Sequence, residues 1–206
     1  MKKREATRYL KKGGFMRLKI IAIISFLFIS IHARATMFIE PSFAYNLSGT
    51  LEYKNSSGTN TRDIKGYSGT LKLGFSTAGL AIGGLVKRGK EELENDGSAA
   101  GYSWSTQYGA FIGYNLPIML GFGVSYILPP TSHSDSSYNG VSYSTLTFGV
   151  AYSIIPFVKL QVNYGMSISP KVVVNGTAND LPYNNYTDIN ASAITVGLGV
   201  PIPLGF

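Results

Sequence analysis

From residue 36 onward, apolar and polar side chains alternate with a period of two, and no window shows a convincing helical period of 3.6. The clearest stretch is Tyr67 to Ser76. It puts Tyr67, Gly69, Leu71, Leu73 and Phe75 on one face and Ser68, Thr70, Lys72, Gly74 and Ser76 on the other. The alternation predicts eight strands, at about 36–46, 64–76, 79–90, 101–115, 119–128, 142–155, 157–169 and 190–206. Connections near 77–78, 116–118 and 156 read as tight turns. Those at 47–63, 91–100, 129–141 and 170–189 read as long polar loops rich in Ser, Asn, Gly, Asp and Thr. A weak repeat of strand, tight turn, strand and long loop follows.

Pooled over the eight segments, one face carries large apolar residues such as Phe43, Ile82, Ile112, Phe122, Phe148, Val162 and Leu198, and no charge. The other carries small or polar residues such as Glu40, Gln107, Gly109, Thr147, Gln161, Asn163 and Gly197. A charged side chain at mid-membrane on a barrel's lipid face costs roughly 2–4 kcal/mol, so a face free of charge suits contact with lipid. The competing reading is a secreted soluble sandwich. It would turn large residues inward and leave a water-facing surface of Gly and Ser with few charges, an unusual surface. In hydrocarbon every backbone N–H and C=O must pair internally, which requires a closed sheet. The expected fold is therefore all-β, an eight-stranded antiparallel up-and-down transmembrane β-barrel. Tyr102, Trp104, Tyr114, Tyr152 and Phe157, near segment ends, are candidate membrane-interface aromatics.

The chain ends in Leu198-x-Val200-x-Ile202-x-Leu204-x-Phe206. This ending resembles the C-terminal signature of bacterial outer-membrane proteins, with Leu204 and Phe206 as the assembly signal. The resemblance implies the barrel-assembly machinery as a partner. Residues 36–206 as a whole resemble the small barrels of the OmpA-transmembrane, OmpX and opacity-protein type. That likeness implies an integral protein of a Gram-negative cell outer membrane, both termini periplasmic. Outer-membrane lipids and lipopolysaccharide would surround it, and four long outward surface loops would offer adhesion or recognition to a host or envelope ligand. Pro201 and Pro203 depart from the pattern, since neither donates a ladder bond.

Composition then sharpens the partners. The 206 residues carry a net charge of +7, but nine of the 18 basic residues lie in 1–35 beside a single acid. Residues 36–206 hold nine basic against ten acidic residues, so a nucleic-acid partner is not expected. The basic leader has its own reading. Arg17 and Lys19 precede an apolar run from Ile20 to Ile31 and a small-x-small site at Ala33-Arg34-Ala35, the layout of a secretory signal peptide. Residues 1–15, ahead of Met16, read as an over-extended start or a long charged n-region. The expected domains are a signal peptide at 1–35 and a barrel at 36–206.

Eight strands enclose room for side chains or one small ligand. Inward charges are few: Glu40, Lys72, Lys87 and Lys159. Strand alternation sets Glu40 and Lys72 at similar heights, predicting a lumen ion pair with Lys159 as a competing partner. It would serve as a gate, or simply as a structural fill. Lys87-Arg88-Gly89-Lys90, followed by Glu91-Glu92-x-Glu94-x-Asp96, reads either as a bridge to lipopolysaccharide phosphates or as a solvated loop whose charges largely cancel. Leu181-Pro182-Tyr183-Asn184-Asn185-Tyr186 suits glycan or protein contact, and equally a solvated loop. The absence of Cys removes thiolate chemistry. His133, in Thr131-Ser132-His133-Ser134-Asp135, is the one His after residue 35. A lone His holds no metal, and consecutive Ser, His and Asp in one loop lack the fixed geometry of a triad. No enzyme, cofactor or metal is expected. A structural or surface-interaction role leads, with a narrow channel or carrier for small solutes second and a lipid A-modifying enzyme third.

Overall fold

The computed structural model describes residues 35–95, 98–130, 140–174, 177–183 and 185–204, with backbone alone for 93–95, 98–103 and 140. Ten strands follow in order: β1 (Thr36–Asn55), β2 (Gly58–Thr77), β3 (Leu80–Asn95), β4 (Ser98–Asn115), β5 (Leu120–Ile127), β6 (Gly140–Ile155), β7 (Val158–Val174), β8 (Thr177–Asp180), β9 (Tyr186–Gly199) and β10 (Ile202–Leu204). Each strand from β1 to β7 pairs antiparallel with the next, β7 pairs β9, and β9 returns to β1. The ring β1-β2-β3-β4-β5-β6-β7-β9 is thus a closed eight-stranded barrel. β8 lies against the end of β7, and β10 pairs β1 at Met37–Ile39.

Turn chemistry fixes one end. Ala78 and Gly79 both take positive φ, 47° and 85°, between β2 and β3. Two left-handed residues give the mirror-image turn whose twist matches a hairpin. At the other end Ser56 and Ser57 join β1 to β2, and the Ser57 N–H donates to Asn55 Oδ1 at 3.0 Å.

The wall is inside out along most of its height. Phe43, Leu71, Phe75, Ile82, Phe122 and Leu198 are exposed on the outer wall, whereas Glu40 is 4% exposed and Gln161 7%. Such a surface is stable only against hydrocarbon. At about 3.3 Å per residue and a tilt near 40°, the apolar face from Tyr67 to Phe75 covers roughly 20 Å of membrane thickness.

Several expected boundaries are corrected. The segment 47–63 is not a long loop: β1 and β2 continue through it to a two-residue turn. The segments 91–100 and 170–189 are likewise mostly strand, as ends of β3, β4, β7 and β9 with β8 between. Of 129–141, residues 131–139 lie outside the described residues. For the segments 47–63, 91–100 and 170–189 the expectation of long loops therefore becomes tall hairpins. Their polar composition looks like loop because, beyond the apolar belt, the outer wall meets water and turns polar. On β2 it passes from Tyr67 to Lys65 and Asp63, and on β9 from Ile194 to Asn190 and Asp188. The last strand is also not continuous over 190–206. It breaks at Val200-Pro201, where proline supplies no ladder N–H, and resumes as β10.

Inside these extensions the polarity reverses too. Leu51, Ile64, Val172, Ile189 and Ala191 form a buried apolar cluster, with Tyr53, Val141, Tyr143, Leu181 and Tyr183 packed against it. On β2 and β9 unbroken alternation delivers Ile64, Ile189 and Ala191 inward. β1 needs a correction of phase. Its pairing with β9 skips Leu47, between Asn46 and Ser48, so outward Tyr45 is followed by inward Leu51. β7 has a matching irregularity, where its pairing with β6 skips Ser169 and Pro170 before buried Val172 and Val173.

Candidate functional site: the lumen and its outer mouth

The lumen encloses a cavity of about 430 Å³. At its centre lies Glu40 on β1. The β1–β2 register puts Glu40 directly opposite Lys72, both inward. Lys72 Nζ donates to Glu40 Oε1 at 2.9 Å, and Lys159 Nζ from β7 donates to Oε2 at 3.4 Å. Gln161 Nε2 donates to Oε1 at 3.0 Å, and Lys159 also donates to Asn115 Oδ1 at 3.3 Å. Both carboxylate oxygens thus have charged donors, which makes a buried carboxylate tolerable. Gln161 and Asn115 are the partners that strand alternation alone does not assign, since Gln161 reaches Glu40 over Gly199 of the intervening β9 and Asn115 reaches Lys159 from β4, on a non-adjacent strand.

One further feature departs from the expected interior. It is not only small and polar: Phe38 and Phe111 line the cavity, with ring centroids 6.0 Å apart, and Leu85 and Ala81 are buried in it. Phe111 is legible in hindsight, sharing the inward phase of Gln107 and Gly109. Glycines seat these side chains. A Cβ on Gly74 would stand 3.0 Å from the Phe111 ring, and one on Gly199 would collide with the Gln161 amide and stand 3.5 Å from Glu40 Oε1. Gly199→Ala is therefore expected to push Gln161 off Glu40 and destabilise the barrel by about 1–3 kcal/mol through overpacking. The urea midpoint for unfolding, in the same detergent as wild type, checks it.

The basic run at 87–90 is not a loop but part of β3, and its residues divide between two media. Lys87 lines the lumen and meets Glu91 at 3.9 Å. Arg88 faces outward, 5.8 Å from the Trp104 ring, and Lys90 pairs with Glu92. Trp104 also stacks edge-on against Tyr67 at 5.9 Å, and Tyr67 against Phe43 at 5.9 Å. Tyr114 and Tyr152 are exposed on the outer wall near the tight turns, whereas Phe157, in the turn between β6 and β7, is exposed at the edge of the lumen cavity that it helps to line, so it is not placed with the interface aromatics. The Tyr102 side chain and Phe206 lie outside the described residues. Leu204 pairs with Met37.

At the outer mouth, Arg62 stands 5.5 Å from the Tyr53 ring, and Tyr53 lies 6.1 Å from Tyr186. Lys54 on β1 bridges to Asp188 on β9 at 3.2 Å, tying the rim across the ring closure. His133 and its Ser and Asp neighbours lie outside the described residues. Among the described residues no three His, Cys, Asp or Glu gather where a metal ion would bind.

No protein-family model matches the chain, and no curated protein does. Three solved structures are similar at low identity. The crystal structure of Neisserial surface protein A is 15% identical, covering 81% of this chain and 98% of that one, with a TM-score of 0.43. Ail, the attachment invasion locus protein of Yersinia pestis, in complex with the heparin analogue sucrose octasulfate, is 12% identical over 82% and 99%, with a TM-score of 0.39. The outer membrane protein OprG from Pseudomonas aeruginosa is 11% identical over 83% and 97%, with a TM-score of 0.41. Such scores assign no activity, and the architecture rests on the strand pairings themselves. A closed ring of eight antiparallel strands, greasy outside and polar within, makes this chain a small transmembrane β-barrel of the kind found in bacterial outer membranes.

Proposed function

We propose that the chain is an integral outer-membrane barrel with a structural or surface-interaction role, exercised by the hairpins that rise beyond its lipid-facing belt. One observation carries this reading: the outer ends of β1, β2, β7 and β9 form a water-facing stalk with its own apolar core, Leu51, Ile64, Val172 and Ile189. A loop with no task beyond closing the barrel does not need a packed core. The stalk presents Arg62, Tyr53, Tyr186 and neighbouring polar residues at a rigid rim, as contact with a glycan or protein requires. Residues 1–35 act, in this reading, as the export signal. The lumen reading of a narrow channel is weaker, because the Glu40 cluster and the apolar core both project into the bore. A stable single-channel conductance in planar bilayers would promote it.

The absence of cysteine allows a clean test. Ser57→Cys sits in the β1–β2 turn and Ala78→Cys in the turn at the opposite end. With the protein expressed in a Gram-negative host, a membrane-impermeant maleimide should label Ser57→Cys on intact cells and Ala78→Cys only after lysis. Recovery of the protein in the soluble fraction, or labelling of Ala78→Cys alone on intact cells, would overturn the reading.

A further inference from the structure

We propose that the lumen binds a small amphipathic monocarboxylate, its carboxylate held by Lys72 and Lys159 and its apolar body lying against Phe38 and Phe111. Among the described residues five charged side chains line the cavity: Lys72, Lys87 and Lys159 against Glu40 and Glu91. Lys87 and Glu91 form their own pair at 3.9 Å. Glu40 is then shared between two ammonium groups, Lys72 at 2.9 Å and Lys159 at 3.4 Å, and its single charge neutralises one of them. The other cation stands in a narrow space with low-dielectric walls, where an unpaired charge is unfavourable and fields are focused. A monoanion balances it, and a dianion would overshoot.

Donors remain for such a ligand. Each ammonium has three N–H groups. Among the described residues Lys72 commits one, to Glu40, and Lys159 commits two, to Glu40 and Asn115. The apolar half of the site is adjacent: Lys72 Nζ lies 5.8 Å from the Phe111 ring centroid, and Phe38 meets Phe111 edge to face. Cations beside aromatic rings in one cavity fit a carboxylate with a short apolar body better than a wholly hydrophilic ion. This inference stands apart from the proposed surface role, because every residue in it lies below the stalk.

The test titrates the folded barrel in detergent micelles with benzoate, benzyl alcohol and inorganic phosphate, reading binding by calorimetry and by saturation transfer to the probe. Benzoate should bind roughly tenfold more tightly than either comparison probe. Lys159→Gln leaves Lys72 and Glu40 as a neutral pair and should weaken benzoate by roughly tenfold or more. Phe111→Leu should weaken benzoate while leaving phosphate unchanged, and it carries the test if Lys159→Gln does not fold, as judged by unheated gel mobility. No benzoate binding by the folded wild type overturns the proposal. Equal binding of benzyl alcohol does so too, since it marks partition into apolar space. Phosphate as tight as benzoate, or benzoate unmoved by both substitutions, also sinks it.

Discussion

Glu40→Ala is expected to destabilise the folded barrel by about 3 kcal/mol, at the lower end of the range for breaking a buried ion pair from one side. The substitution removes the one acceptor common to Lys72, Lys159 and Gln161 and leaves two ammonium groups facing each other across the bore. The lower end applies because the lysine side chains keep 24% and 17% of their surface exposed, so solvent screens part of the repulsion. The companion variant Glu40→Leu, Lys72→Met, Lys159→Met should recover stability to within about 1 kcal/mol of wild type, because a matched apolar replacement removes the desolvation penalty along with the attraction. Urea unfolding in lipid vesicles, followed by gel mobility, distinguishes the two. A loss below about 0.5 kcal/mol for Glu40→Ala would mean that the cluster fills space and no more.

Leu71→Arg is expected to cost about 2–4 kcal/mol, the range for an arginine near mid-membrane on a barrel's lipid face. Leu71 is 45% exposed and flanked on the outer wall by Pro41 and Val86. Thr61→Arg introduces the same side chain on the same face of β2, beyond the belt, and should shift stability by no more than about 0.5 kcal/mol. The contrast between the two sites is the informative quantity. If both arginines are equally well tolerated in vesicles, the outer wall does not meet lipid.

How much of this was legible in the sequence depends on whether the medium on each side of a strand stays constant. Through the belt it does, so alternation alone separates Leu71 and Leu73 from Lys72. It also allows two residues on adjacent strands, such as Glu40 and Lys72, to be set at one height. Beyond the belt the outer medium changes from lipid to water, the code inverts, and residues 47–63 look like loop although they are strand. The bulges at Leu47 and at Ser169-Pro170 carry little signal, because a skipped residue amid Asn, Ser and Gly alters no obvious pattern. Contacts between non-adjacent strands, such as Gln161 to Glu40 over β9, depend on the stagger of the ring. Phe38 and Phe111 were hidden by a different bias: aromatics in a barrel suggest the lipid side, whereas these two keep the inward phase of their strands.

The irregularity at Leu47 makes β1 behave like a message with a reading frame. Upstream of it odd-numbered residues belong to the outside, and downstream they belong to the inside. Excising Leu47 would therefore shift no frame: Asn46 and Ser48 already face consecutive residues of β9, so the two halves would join in unbroken alternation, with Leu51 and Tyr53 still delivered inward and Glu52 and Lys54 still outward. Both the lower barrel and the stalk would keep their faces, so such a deletion should yield an intact membrane cylinder whose tip still resists external proteases and loses only the local bend that a bulge imposes.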